Sequence, residues 1–261
     1  MNKLTGVAIP LVTPLQPGGV VCEESVSRLI DSVAPSASAL LPCLSSGEGK
    51  KLSRKQWEDM VVYAVRYGRP LPVFPGTLVD NREELLLRAS IAADAGAAGI
   101  TLAVPDVEHN QSNRVINYFA QLTQSLPLPI FIYNQQSGPT VEDLVEVLAA
   151  ICNMKGVVAI KESSHRPEAA TALHEKKLPS AVFQGWEDLC YQSQGVDGNA
   201  LALANLEPRL CADFYQAPTS EKQQWIIALC EKYNLFDHAW YVFLKSELWK
   251  RGILATNLAA A

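Results

Sequence analysis

Short apolar runs recur along the chain, and most are separated by stretches in which apolar residues return every three or four positions. The runs are "GVAIPLV" (6–12), "SALLPC" (38–43), "LPVFPG" (71–76), "AAGITLAV" (97–104), "LPIFIYN" (128–134), "GVVAIK" (156–161), "SAVFQG" (180–185) and "GNALALAN" (198–205). Each is strand-length, and runs that are apolar on both faces suit the buried strands of a parallel sheet. Eight such strands alternating with helices predict an α/β fold, a (β/α)8 TIM barrel forming one domain over residues 1–217.

Helix starts are marked as well. Ser53 with Gln56 makes a capping-box pattern before "WEDMVVYAV"; Asp80 with Glu83 and Thr140 with Asp143 repeat the spacing. Beyond Thr140, the residues Leu144, Val145, Leu148 and Ile151 share one helical face, expected against the barrel. Past residue 218 the alternation stops. "SEKQQWIIALCEKYNLF" and "HAWYVFLKSELWKRGI" predict two consecutive helices with no strand between them. Residues 218–261 are therefore expected to form a short C-terminal helical appendage packed on the barrel, with the Trp and Tyr of "HAWYVF" packing inside it.

Composition narrows the partners. A chain of 261 residues with 48% hydrophobic and 19% charged residues is that of a globular protein. Its net charge of -5 speaks against nucleic acid and against anionic membrane surfaces. Pro10 and Pro14 interrupt the first apolar run, so the opening does not read as a signal peptide, and no run reaches membrane-spanning length. Six cysteines lie far apart without a C-x-x-C pair, which suits neither a zinc site nor a disulfide scaffold; a reducing cytoplasm is the expected home. His109, His165, His174 and His238 have no ligand or triad spacing and read as surface or structural residues.

The run "GVVAIKESSH" (156–165) ends in a lysine, and burying a lysine as a cation is costly. In a barrel, strand C-terminal ends and the loops after them build the active face. Lys161 ends the sixth predicted strand, Tyr133 ends the fifth, and Ser45–Ser46–Gly47–Glu48 follows the second. Three strands thus bring an amine, a phenol and two hydroxyls to one rim. Glu48 reads as a structural acceptor that ties down its loop.

These residues resemble a known family. "GVAIPLVTP" at the first strand, "SSGE", "YN", "IKES", "GWED" (185–188) and "GNALALAN" are similar, in order and spacing, to motifs of the dihydrodipicolinate synthase and N-acetylneuraminate lyase family, pyruvate-dependent class I aldolases. The resemblance implies that Lys161 forms a Schiff base with a 2-oxo acid such as pyruvate, with no metal or organic cofactor beyond that covalent imine. It implies that Tyr133 moves protons and that Ser45, Ser46 and Gly47 hold the donor carboxylate. Gly185, Glu187, Asp188 and Ala202 are implied to complete the substrate site. A homo-oligomer, dimer or tetramer, is expected.

The departures are as specific. Leu44 stands where the family has a glycine. Asp106 and Val107 stand where the synthases carry a tyrosine pair that completes a proton relay across a subunit interface. Gly138 lies near the place of an arginine that grips the acceptor's carboxylate, leaving Gln135, Gln136 and Ser137 as neutral groups and Arg166 as the one nearby cation. The expectation is an aldolase or lyase joining pyruvate to a neutral aldehyde. The alternatives are a 4-hydroxy-tetrahydrodipicolinate synthase and a barrel that binds a 2-oxo acid without turnover.

Overall fold

In the strand running "IFIYN", Phe131 and Tyr133 belong to one apolar cluster while Ile130 and Ile132 belong to another. This two-residue alternation sorts the whole molecule. The computed structural model describes residues 3–105 and 112–260; Asp106, Val107 and His109 lie outside the described residues. Strands β1 (Gly6–Ile9), β4 (Ala39–Leu40), β5 (Ile100–Ala103), β6 (Ile130–Asn134), β7 (Val157–Glu162), β8 (Ala181–Gln184) and β9 (Gly198–Asn199) form one parallel sheet in the order β4-β1-β9-β8-β7-β6-β5. Their inward residues include Ala8, Ala39, Phe131, Ala159, Ala181, Phe183 and Ala200, with Phe74 beside them. Three phenylalanines fill the centre among alanines: the Phe74 and Phe131 rings lie 5.5 Å apart, as do those of Phe131 and Phe183.

The third predicted strand is the exception. Residues 71–76 make no ladder, only the single bridges Leu40↔Val73 and Gly76↔Thr101. The reason lies in Pro72 and Pro75, which have no N–H to give. Their carbonyls still work: Leu40 N donates to Pro72 O (3.0 Å) and Thr101 N to Pro75 O (2.8 Å). Phe74 N donates to Leu40 O and Ala98 N to Val73 O, so the segment is bonded on both sides and closes the barrel between β4 and β5. The eighth strand is also shorter than the sequence suggests. Only Gly198–Asn199 pair, and Ala202–Asn205 turn into a short 3-10 helix. There Asn205 bonds Pro10 O and the Val12 N–H, fastening the last strand to the first.

A two-stranded hairpin, β2 (Leu15–Gln16) and β3 (Val20–Val21), follows β1. Its turn carries Gly18 and Gly19 at φ of +87° and +75°. Helices α1 (Glu23–Val33), α2 (Arg54–Gly68), α3 (Arg82–Ala95), α4 (Ser112–Ser125), α5 (Val141–Cys152), α6 (Ala169–Glu175) and α7 (Pro208–Gln216) cover the outside. Ser53 and Gln56 form the expected capping box at α2, and Thr140 caps α5 by accepting from Asp143 N. At α3 the cap is Asn81, which accepts from the Glu83 and Glu84 amides, and not Asp80. On α5, Leu144, Val145, Leu148 and Ile151 are buried, as their spacing predicts.

Helices α8 (Ser220–Lys232) and α9 (Trp240–Lys250) follow with no strand between them. Among the described residues, no helix is long and apolar enough to cross a membrane.

Candidate functional site

Lys161 is the penultimate residue of β7, in register with Tyr133 on β6 and Phe183 on β8. Alternation turns it inward above Ala159, and it is buried. Its Nζ lies 5.0 Å from the centroid of the Tyr133 ring. The Tyr133 hydroxyl is 3.1 Å from Ser45 Oγ. Next in each strand, Asn134 and Glu162 face outward: Asn134 Nδ2 and the Ser164 amide both donate to Glu162 Oε1 (3.0 and 2.9 Å). "YN" and "KE" are thus one construction, an inner reactive pair and an outer pair that locks the two strand ends together.

Burial sets the electrostatics. It pushes the Lys161 ammonium down to about 8, against the pull of the Glu187 carboxylate. Burial likewise lifts Tyr133 to about 12, with the Ser45 hydrogen bond opposing the shift. Glu187, itself buried, is raised above the ordinary carboxylate range by desolvation, although the Leu203 amide donates to its Oε1 at 3.1 Å. Near neutral pH a useful fraction of the lysine is a free amine beside a protonated phenol, the state a nucleophile and a proton donor need.

Close packing lets the amine sit there. A Cβ on Gly185 would fall 2.0 Å from Ser163 Oγ, 2.7 Å from Glu162 O and 2.8 Å from Lys161 Cε. Only glycine leaves the lysine stem its space. The Ser45–Glu48 loop is equally tight: Thr13 Oγ1 donates to Gly47 O, and a Cβ on Gly47 would meet Cys43 N and Leu11 O at 2.8 Å. Cys43 and Glu48 hold φ of +61° and +59°, a left-handed conformation unusual outside glycine. As its reading as a structural acceptor expects, Glu48 accepts from Lys245 Nζ and from Ala260 N.

A cavity of about 90 Å³ lies over Lys161. Ser45, Ser46, Tyr133, Gly185, Glu187 and Ala202 line it, so the structure brings these expected residues together with the lysine. Gly47 is not in the wall; it serves the loop's packing. Asp188 is not in it either, since its Oδ2 is 2.9 Å from His165 Nε2. Of the three neutral groups expected near the acceptor, only Gln135 reaches the cavity. Gln136 Nε2 donates to Val104 O and Ser137 Oγ to Ser164 O. Arg166 Nη2 donates to Gly138 O, and the guanidinium is held on that loop. Trp186, whose Nε1 donates to Ser163 O, adds an aromatic wall.

Leu235 and Trp240 also line the cavity, and sequence reasoning missed them as site residues. Trp240 starts α9 in a run that reads locally as ordinary helix packing. Its place over a lysine on β7 depends on how the C-terminal helices dock, which no local pattern encodes.

A model described as the Dihydrodipicolinate synthetase family matches residues 3–248. A 4-hydroxy-tetrahydrodipicolinate synthase of Bartonella bacilliformis is 26% identical over 220 residues, covering 82% of this chain and 75% of that protein. One from Xylella fastidiosa is 29% identical over 212 residues, covering 79% and 70%. Among solved structures, a dihydrodipicolinate synthase from Bacteroides thetaiotaomicron superposes with a TM-score of 0.89 at 26% identity, over 100% of this chain and 93% of that one. A prophage protein of the dihydrodipicolinic acid synthase family from E. coli K12, solved in complex with pyruvate, gives 0.82 at 20% identity over 98% and 91%, which speaks for the fold alone.

Proposed function

We propose that this chain, which belongs to the dihydrodipicolinate synthetase family, uses Lys161 to make or break a carbon–carbon bond between pyruvate, or a related 2-oxo acid, and a neutral aldehyde. Membership makes it an aldolase-type carbon–carbon lyase. The observation that carries the finer reading is Lys161 itself: a buried amine lowered to about 8, beside a phenol raised to about 12.

The amine adds to C2 of the 2-oxo acid, and loss of one water leaves an iminium that draws electrons from the adjacent carbon. A methyl proton leaves to water to give the enamine. That carbon bonds to the aldehyde carbon while the aldehyde oxygen takes a proton from Tyr133, which is reprotonated from solvent. One water then hydrolyses the new iminium, returning Lys161 and releasing a 4-hydroxy-2-oxo acid. The electron sink is the covalent imine, so the sequence of steps calls on no metal or organic cofactor. Ser45 and Ser46 would hold the donor carboxylate.

Acceptor choice follows from what lines the rest of the cavity. Trp186, Leu235 and Trp240 are apolar walls, Gln135 is a neutral amide, and Arg166 is engaged by Gly138 O. A second carboxylate placed there would be desolvated at a cost of several kcal/mol without a partner. The reading as a 4-hydroxy-tetrahydrodipicolinate synthase, the name its relatives carry, has their similarity in its favour and, against it, the lack of a second cation among the described residues that line the cavity. A homo-oligomer, dimer or tetramer, working in the cytoplasm is part of the same reading.

The test is product formation from pyruvate with a panel of aldehydes, read by the new 4-hydroxy-2-oxo acid. Product with neutral aldehydes, none with Lys161→Ala, and a lower kcat/KM for aspartate semialdehyde are expected. A clear preference for the semialdehyde overturns the acceptor assignment, and product from Lys161→Ala overturns the mechanism.

A further inference from the structure

The pocket's hydroxyl loop is held partly by its own hydrogen bonds and partly from far along the chain. Ser45 and Ser46 sit between Cys43 and Glu48, two non-glycine residues in the left-handed region. Such conformations persist where surrounding contacts over-determine them. Within the loop, Glu48 N donates to Ser45 O (3.0 Å) and Gly49 N to Leu44 O (2.9 Å). Lys51 N donates to Glu48 O (2.8 Å), while the restraint on the Glu48 side chain comes from about two hundred residues away in the chain. Its Oε1 takes the ammonium of Lys245 on α9, and its Oε2 accepts from Ala260 N at 2.7 Å. Lys245 Nζ also donates to Leu258 O (2.6 Å). The side chains of Lys245 and Glu48 are 0% and 1% exposed.

A buried ion pair is a poor way to gain stability, since desolvation offsets most of the attraction. It is a good way to fix one geometry. A second tie runs parallel to it: Lys51 Nζ donates to Tyr241 OH at 3.2 Å, again joining this loop to α9. The C-terminal segment is fastened in turn along the barrel, with Ala255 N on Ser25 Oγ and Thr256 Oγ1 on Leu15 O.

We propose that Lys245 and the chain from Leu258 to Ala260 are positioning elements for donor binding: through Glu48 they hold Ser45 and Ser46 where the 2-oxo acid's carboxylate is received. Line by line, Lys245 fixes Glu48, Glu48 fixes the turn that carries Ser45, and Ser45 meets Tyr133 OH at 3.1 Å. The inference rests on the proposed donor site, and its test separates the two.

Pyruvate affinity is measured by calorimetry, and the borohydride-reduced adduct by intact mass, for the wild type, for Lys245→Met and for a chain ending at Thr256. The truncation keeps α9 and removes only the Leu258 and Ala260 contacts, so it decides the matter if Lys245→Met fails to fold. Both variants are expected to bind pyruvate roughly 10- to 100-fold more weakly, the loss expected when charge-assisted hydrogen bonds are mis-set. Both should still form the adduct at saturating pyruvate. Affinity within twofold of wild type in a folded variant, even one with a lower melting temperature, makes the element it changes, Lys245 or the chain from Leu258 to Ala260, merely structural and overturns the inference for that element. A wild type that binds pyruvate without forming an adduct overturns the imine mechanism and leaves the affinity comparison to decide the positioning role. A wild type that binds no pyruvate overturns both.

Discussion

At the residue scale the account turns on two protonation states. Lys161 has an ordinary value of 10.5 and is lowered by burial to about 8. Below about 8 a growing share of the native amine is protonated and cannot attack, so the rate of imine formation should rise with pH to about 8 and then level off. Tyr133, at about 12, stays protonated throughout and should add no alkaline limb below pH 10. The same shift has a sign for stability. Between about 8 and 10.5 the unfolded lysine holds a proton that the native one has lost, so this group's contribution to the unfolding free energy increases with pH across that window. Five buried thiols raised by burial oppose this slope, and Lys245, lowered by burial, adds to it, in wild type and variant alike. Urea unfolding at pH 8 and pH 10 should therefore show a more positive slope in the wild type than in Lys161→Met; equal slopes would mean that the lysine is solvated. Tyr133→Phe should lower kcat by roughly 10²- to 10⁴-fold while pyruvate still binds, and near-normal turnover would contradict the proton role. Both residues were legible from the sequence because a polar group ending an apolar strand needs a reason. Asp188 was misplaced because adjacency in "GWED" does not say which of two neighbouring carboxylates turns inward. The structure gives the cavity to Glu187 and gives Asp188 to His165.

At the scale of elements, the sequence foretold the helices well where caps and periodicity agree, as at α2 and α5. It overstated the third strand, since apolar content in "LPVFPG" hides two residues that cannot donate to a ladder. That segment depends on other supports, and one is Trp57 of α2, whose Nε1 donates to Gly76 O at 2.7 Å while the ring is fully buried. Trp57→Phe leaves that carbonyl unpaired and should cost about 1–3 kcal/mol in urea titration. A loss of well under 0.5 kcal/mol would show that the closing segment holds without it. Just past the end of β8, Gly185→Ala should cost both stability and chemistry, because its methyl meets Ser163 Oγ and Glu162 O as well as the Lys161 stem. A variant that forms the imine at the wild-type rate would show that the stem moves aside at no cost.

For the whole molecule, the alternation of runs and helices was enough to give the barrel, because a parallel sheet covered on both faces leaves an unmistakable apolar rhythm. The C-terminal helices were legible as helices but not as a wall of the site. Trp240 and Lys245 reach the β7 lysine and the Ser45 loop through docking across the full length of the chain. Contacts of that kind have no local signature. One claim joins every scale, that Lys161 becomes covalently attached to a 2-oxo acid. It is tested most directly by borohydride reduction in the presence of pyruvate, followed by intact-mass and peptide mass spectrometry. The account predicts one reduced pyruvate per chain on the peptide carrying Lys161, and none in Lys161→Ala. An adduct on another lysine, or no adduct with any 2-oxo acid, would contradict it.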